Sequence, residues 1–194
     1  KRQLFSTRPR TRRRIIPSYD EFLSRMDAFS GGLVETLQKT PGVVVAGGSV
    51  MGALLDEVAG DVDIFVTQHE VAEEAVRSIF EAAQALHVKK NGQHAKLCVT
   101  RSRNAVTIHR VGSPMPPVQL ITFTYQSTAD LLLRFDVDCC AIAWEPQPGR
   151  VVVTKRAQHA IKTKVNVASS AFETSGYTIR LEKYAQRGFG IFIP

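Results

Sequence analysis

Two short stretches in the first third of this 194-residue chain hold residues suited to work on phosphate. The first is Val45-Ala46-Gly47-Gly48-Ser49; after an eleven-residue spacer comes Asp61-Val62-Asp63-Ile64. Adjacent glycines let the backbone approach a triphosphate with no Cβ in the way. If a helix follows, its free N–H groups and the Ser49 hydroxyl present donors to anionic oxygens. Asp61 and Asp63 stand two apart, so on a strand both carboxylates leave the same face, about 6.5 to 7 Å apart at Cα. That spacing suits bridging two divalent cations, Mg2+ or Mn2+, one activating an attacking hydroxyl and the other holding a triphosphate.

The elements around these residues must place them correctly. Val43 to Val45 is apolar on both faces, as in a strand at the centre of a sheet. Val50, Met51, Leu54, Leu55 and Val58 form one helical stripe, which Gly60 closes. Asp61 to Thr67 reads as the next strand. Upstream, Ser18 and Glu21 make a capping box for a helix from about Tyr19 to Lys39, weakened in the middle by Gly31 and Gly32. Downstream, a Thr67–Glu70 capping box opens a helix reaching Leu86. Strands are then expected at Lys96 to Thr100, Ala105 to Val111 and Val118 to Tyr125, with a short Ser127-capped helix after them. Asp136 to Trp144 and Val151 to Thr154 read as a further hairpin. Helices from about Arg156 to Lys162 and Tyr177 to Arg187 precede a terminal strand, Phe189 to Ile193. Mixed strands with interspersed helices point to an α/β or α+β layer fold.

The glycine pair, the spacer and the Asp-Val-Asp strand together resemble the signature of the polymerase beta-like nucleotidyltransferases. The resemblance implies a nucleotidyltransferase fold in which Gly47, Gly48 and Ser49 hold a nucleoside triphosphate. Asp61 and Asp63 would hold the metal, and a nucleoside monophosphate would pass to a hydroxyl acceptor with release of pyrophosphate. It also implies a third carboxylate on a later strand beside the pair. On Val118-Gln119-Leu120-Ile121 that place is taken by Gln119, an amide and a weak magnesium ligand. The other source is Asp136-Val137-Asp138, where both carboxylates would share one strand face. Asp136 or Asp138 would then complete the catalytic set, with Asp136 the preferred metal ligand. If neither does, the reading becomes a catalytically reduced fold serving as a structural or RNA-binding subunit of a larger nucleoprotein assembly.

The formal charge is +7, and Lys1, Arg2, Arg8, Arg10, Arg12, Arg13 and Arg14 supply as many positive charges before any acid appears. Residues 1–17 therefore read as a basic arm, disordered alone and suited to the phosphates of RNA or DNA. A solvated tail or an organelle-targeting segment would share this composition. Residues 18–194 read as one domain. Cys98, Cys139 and Cys140 lack metal-ligand spacing and suggest no disulfide framework, which fits an intracellular reducing compartment. No apolar run is long enough to span a bilayer, which excludes membrane insertion as a helix. His69, His87, His94, His109 and His159 are scattered and read as structural or surface residues. Lys155, Arg156, Lys162 and Lys164 read as a solvated basic face.

Overall fold

The computed structural model describes residues 18–172 and 176–194, so the basic arm with Arg8, Arg10, Arg12, Arg13 and Arg14 lies outside the described residues. The chain begins with helix α1 (Tyr19–Ser30), capped by Ser18, whose Oγ accepts the Glu21 N–H at 3.2 Å. Gly31 and Gly32 both take positive φ, 73° and 94°, a conformation that glycine enters without steric cost, and they divide α1 from α2 (Val34–Lys39). Strand β1 (Val43–Ala46) follows, buried at every position as its four apolar residues require. Next come α3 (Gly48–Leu55), β2 (Val62–Val66) and the long helix α4 (Ala72–Asn91).

The second half adds β3 (Leu97–Arg101), β4 (Ala105–Arg110), β5 (Val118–Thr124), α5 (Thr128–Leu133), β6 (Ile142–Glu145) and β7 (Arg150–Val153). The seven strands form one mixed sheet in the order β3-β4-β5-β2-β1-β6-β7. β1 runs antiparallel to β2 and β6, while β2 and β5 are parallel. With its flanking helices this is the α/β (α+β) architecture that the sequence suggests. The end of the described chain holds α6 (Lys155–Thr163), β8 (Val165–Val167), α7 (Tyr177–Gln186) and β9 (Gly190–Phe192), with β8 and β9 paired in a small parallel sheet of their own.

The two faces of the large sheet differ. Val45, Ile64, Ile108, Leu120 and Trp144 point into the main core beneath α1 to α4 and α7. Val44, Ala46, Phe65 and Ala143 point the other way, where among the described residues Leu131 and Leu132 of α5 and a few neighbours cover them. Asp63 is the register partner of Ala46, so it belongs to this second, thinly covered face.

Several local expectations fail for identifiable reasons. The Thr67–Glu70 capping box does not form, because the N-cap falls one residue later, at Gln68, while Thr67 Oγ1 donates to the Gly42 carbonyl at 3.2 Å. Helix α3 ends at Leu55, three residues short of Val58, on a left-handed Asp56 rather than at Gly60. The strand expected from Asp136 is shorter too. Residues Asp138–Cys140 make a 3-10 turn and β6 starts only at Ile142, so Asp136 and Asp138 do not share a strand face. Arg156 and Lys164 are not a solvated face: Arg156 donates to the Leu132 and Phe135 carbonyls and to Asp138, and Lys164 lies 4.3 Å above the Phe189 ring.

Candidate active site

Strand β1 delivers the chain to Gly47, whose N–H still bonds the Ile142 carbonyl at 3.0 Å before φ turns to 88° and α3 begins. A Cβ at Gly47 would sit 3.1 Å from the Phe135 ring, and one at Gly48 would sit 2.7 Å from the Tyr184 hydroxyl. Glycine is therefore imposed at 47 by conformation and at 48 by close approach. Gly47 offers no side chain to cap α3, so among the described residues the first-turn N–H groups keep no side-chain acceptor, and the positive end of the helix dipole faces the same place. Ser49 does not line that place: its side chain is buried and its Oγ has no hydrogen-bond partner among the described residues.

In front of α3 lies a cavity of about 150 Å³, walled by Gly47, Gly48, Asp61 and Asp63 on one side and by Asp136, Arg180, Lys183 and Tyr184 on the other. The i, i+2 spacing brings both carboxylates of the first Asp pair to this wall. Burial, and after it the charge of Asp61, pushes the Asp63 carboxyl up to about 7, with Lys183 opposing the shift. Lys183 stands across the cavity from the pair, and among the described residues neither Asp61 nor Asp63 forms an ion pair with it. The pair's two oxygen-rich side chains fit Mg2+ or Mn2+ whose remaining positions go to water and substrate phosphate, the usual state of protein-bound magnesium.

The other expected carboxylates are placed differently. Gln119 is the register partner of Asp63 on the neighbouring parallel strand, so the position beside the pair carries an amide. Asp136 reaches the cavity, but Arg180 donates Nε to its two oxygens at 3.1 and 2.8 Å and Nη2 to Oδ2 as well. Asp138 faces away. Its Oδ1 accepts from Arg156 at 3.2 Å and its Oδ2 from the Val167 N–H at 2.8 Å. Among the described residues, no three His, Cys, Asp or Glu side chains come close enough to hold a metal.

The residues missed by sequence reasoning lie on α7. Arg180, Lys183 and Tyr184 line the cavity, and Arg187 sits 5.2 Å from the Tyr184 ring. Their i, i+3, i+4, i+7 spacing was legible as one helical stripe, but the segment reads equally as an ordinary amphipathic helix. Burial raises the Tyr184 hydroxyl well above the usual phenol range and keeps it neutral.

Known proteins share this arrangement of elements. The structure is similar to a Thermotoga maritima CCA-adding enzyme solved in complex with tRNA, with a TM-score of 0.62 and 20% identity over 93% of this chain and 43% of that one. It is also similar to a CCA-adding enzyme solved with ATP, with a TM-score of 0.63 and 19% identity over 93% and 43% of the two chains. The fold is thus that of the nucleotidyltransferases. An uncharacterized protein of Acanthamoeba polyphaga mimivirus is 25% identical over 165 residues, 78% of this chain and 36% of that protein. The chain spans less than half the length of these relatives. Residues 18–164, from the α1 cap to the end of α6, match the family described as Gabija anti-defense 2, and the chain belongs to that family.

Proposed function

We propose that this protein is a metal-dependent nucleotidyltransferase that moves a nucleoside monophosphate from a nucleoside triphosphate to a hydroxyl acceptor, and that this transfer serves the anti-defense role for which its family is named. One observation carries the reading: a single cavity collects the uncapped N-terminus of α3, the Asp61–Asp63 pair and the cations of α7. Those three parts match the three needs of phosphoryl transfer: a cradle for phosphate, ligands for metal, and positive charge for the leaving group.

The Gly47 and Gly48 backbone takes the phosphates at the helix N-terminus. Asp61 and Asp63 would hold Mg2+, which would polarise the α-phosphate and lower the pKa of the acceptor hydroxyl. Arg180 and Lys183 face the triphosphate and offset the charge that builds on the departing pyrophosphate. Asp136 acts through Arg180, fixing the guanidinium by its paired hydrogen bonds. The acceptor oxygen bonds to the α-phosphorus as the α–β anhydride bond breaks.

The decisive assay follows α-phosphate-labelled triphosphates with Mg2+ or Mn2+, reading pyrophosphate release alongside equilibrium nucleotide binding. Binding with metal-dependent release supports the transferase; a chain that binds neither metal nor nucleotide sinks it. Gln119 beside Asp63 favours a second reading, a fold that retains nucleotide but has lost transfer. Under that reading nucleotide binds and pyrophosphate never appears, and the arm carries the function. Deleting residues 1 to 14 should then weaken RNA binding and flatten its salt dependence.

A further inference from the structure

The acceptor must reach Asp61 and Asp63 from a side that the protein leaves open. Toward β1 the way is closed by Gly47, with the Phe135 ring close above it. Beyond that, α5 covers Val44, Ala46 and Ala143 of the same face. Opposite the pair stands α7 with Arg180, Lys183 and Tyr184. The remaining side is the sheet itself, from β2 across β5 and β4 to β3.

The strand registers define what an incoming acceptor meets there. Asp63 pairs with Gln119, Gln119 with Thr107 and Thr107 with Thr100, so these residues form one row across four strands on the same face. His109 and Cys98, paired with each other, stand two residues further along on β4 and β3. Thr100, His109 and Cys98 are exposed, and Thr107 and Gln119 are half-buried. Among the described residues no helix covers this half of the face: the core-forming side chains of β4 and β5, Ile108, Val118 and Leu120, all belong to the other one. From Asp63 to Thr100 is three strand spacings, roughly 14 Å, the reach of about four extended residues.

Charge decides between the two classes of polymer that could lie on this row. A nucleic acid needs cations along its path to replace the counterions it sheds. Gln119, Thr107, Thr100, Cys98 and His109 carry no permanent charge. Arg101 faces the other side with Val99, and Lys96, which alternation brings to this face, stands just before β3. The cations at the site are instead on α7, beside the triphosphate. Uncharged donors and acceptors suit the amides of a polypeptide.

We infer that the acceptor is a polypeptide, laid across the Gln119–Thr107–Thr100 row so that one Ser, Thr or Tyr hydroxyl meets the α-phosphate of the bound nucleotide. This rests on the transferase reading above and names its substrate class. The hydroxyl oxygen bonds to the α-phosphorus, the α–β anhydride bond breaks, and pyrophosphate leaves with the electron pair. The hydroxyl proton passes to water, leaving a nucleoside monophosphate on the side chain by a phosphodiester.

The full chain should be incubated with the four α-labelled triphosphates and Mg2+, and offered in parallel a degenerate Ser/Thr/Tyr peptide library and short RNA and DNA oligonucleotides with free 3′ hydroxyls. Label is expected on peptides and not on oligonucleotides. Thr107→Lys sharpens the result, because a cation in mid-row should lower peptide labelling by about tenfold or more but raise labelling of a polyanion. Nucleotide affinity and melting temperature should stay at the level of the unmodified chain. Label on oligonucleotides, label on neither class, or peptide labelling untouched by Thr107→Lys would each overturn the acceptor assignment while leaving nucleotide binding intact. Absence of nucleotide binding in the unmodified chain would instead bring down the transferase reading and this one with it.

Discussion

The chain contains the tripeptide Asp-Val-Asp twice, at residues 61 to 63 and 136 to 138, and gives the two copies different backbones and different partners. The first enters β2, so its carboxylates share one face and one cavity, where burial and mutual repulsion raise the Asp63 carboxyl. The second runs into a 3-10 turn that separates its carboxylates, and each receives a guanidinium, Arg180 for Asp136 and Arg156 for Asp138. Two acid pairs of identical spacing thus meet different partners: the first shares a cavity with Lys183 on its far wall, and the second is divided between two guanidinium groups. The difference teaches that i, i+2 spacing gathers two carboxylates into one cavity only where the backbone stays extended.

The sharpest way to break this comparison is to neutralise one acid of each copy. If Asp63 holds the metal, as proposed, Asp63→Asn should lower nucleotidyl transfer by on the order of a thousandfold, about 4 kcal/mol, while the melting temperature holds or rises. Asp138→Ala should do the reverse. It leaves Arg156 with carbonyl acceptors but no counter-charge and the Val167 N–H with no acceptor, both partly buried, and should cost about 3 kcal/mol of stability, a fall of roughly 6 to 12 °C by calorimetry. Transfer per folded molecule should survive it. An Asp138 variant that melts normally yet is inactive would place the second copy in the site and dissolve the distinction.

What the sequence disclosed follows the same division between local and distant causes. The break at Gly31 and Gly32, the Ser18 and Ser127 caps, the buried β1 and the glycine turn before α3 all depend on residues within a few positions of one another. The fate of Asp138 does not. It is set by a backbone N–H 29 residues away and by Arg156, 18 residues away, and neither leaves a periodic trace. The strand β8 is only three residues long; its Asn166 side chain, buried, accepts the Cys139 N–H at 2.9 Å, and β9 pairs alongside. The cations of α7 were visible as a stripe, but what they face is decided by Gly47, Gly48 and Asp61, more than 100 residues earlier.

Titration gives a gentler test. The Asp63 carboxyl has its ordinary value of 3.8 in the unfolded chain and about 7 in the folded one without metal. Between those values the folded state keeps a proton that the unfolded state has lost, so stability is fully present below about pH 4 and declines as pH rises through 7. Because the carboxylate faces the cavity, where solvent screens its charge, the decline amounts to roughly 2 kcal/mol. Denaturant melts across this window, without metal and then with saturating Mg2+, should show the decline and its recovery, since a cation that binds only the folded state restores stability above pH 7. Asp63→Asn should flatten both curves. Equal declines in the variant would mean that another group titrates there.

The smallest effect belongs to the acid that stands between the two copies. Asp136 lies in the cavity like the first pair yet is held by a guanidinium like Asp138. If it orients Arg180 toward the triphosphate, Asp136→Asn keeps one acceptor for the guanidinium and loosens it only in part. The KM for nucleotide should rise about fivefold, near 1 kcal/mol, with kcat little changed and the metal requirement untouched. A metal ligand would behave otherwise. Its loss would lower kcat by far more than it raised KM and would shift the Mg2+ dependence toward higher concentration. Measuring both constants across a magnesium series therefore assigns Asp136 to the guanidinium or to the metal, and in doing so says whether two carboxylates or three do the work beside Gln119.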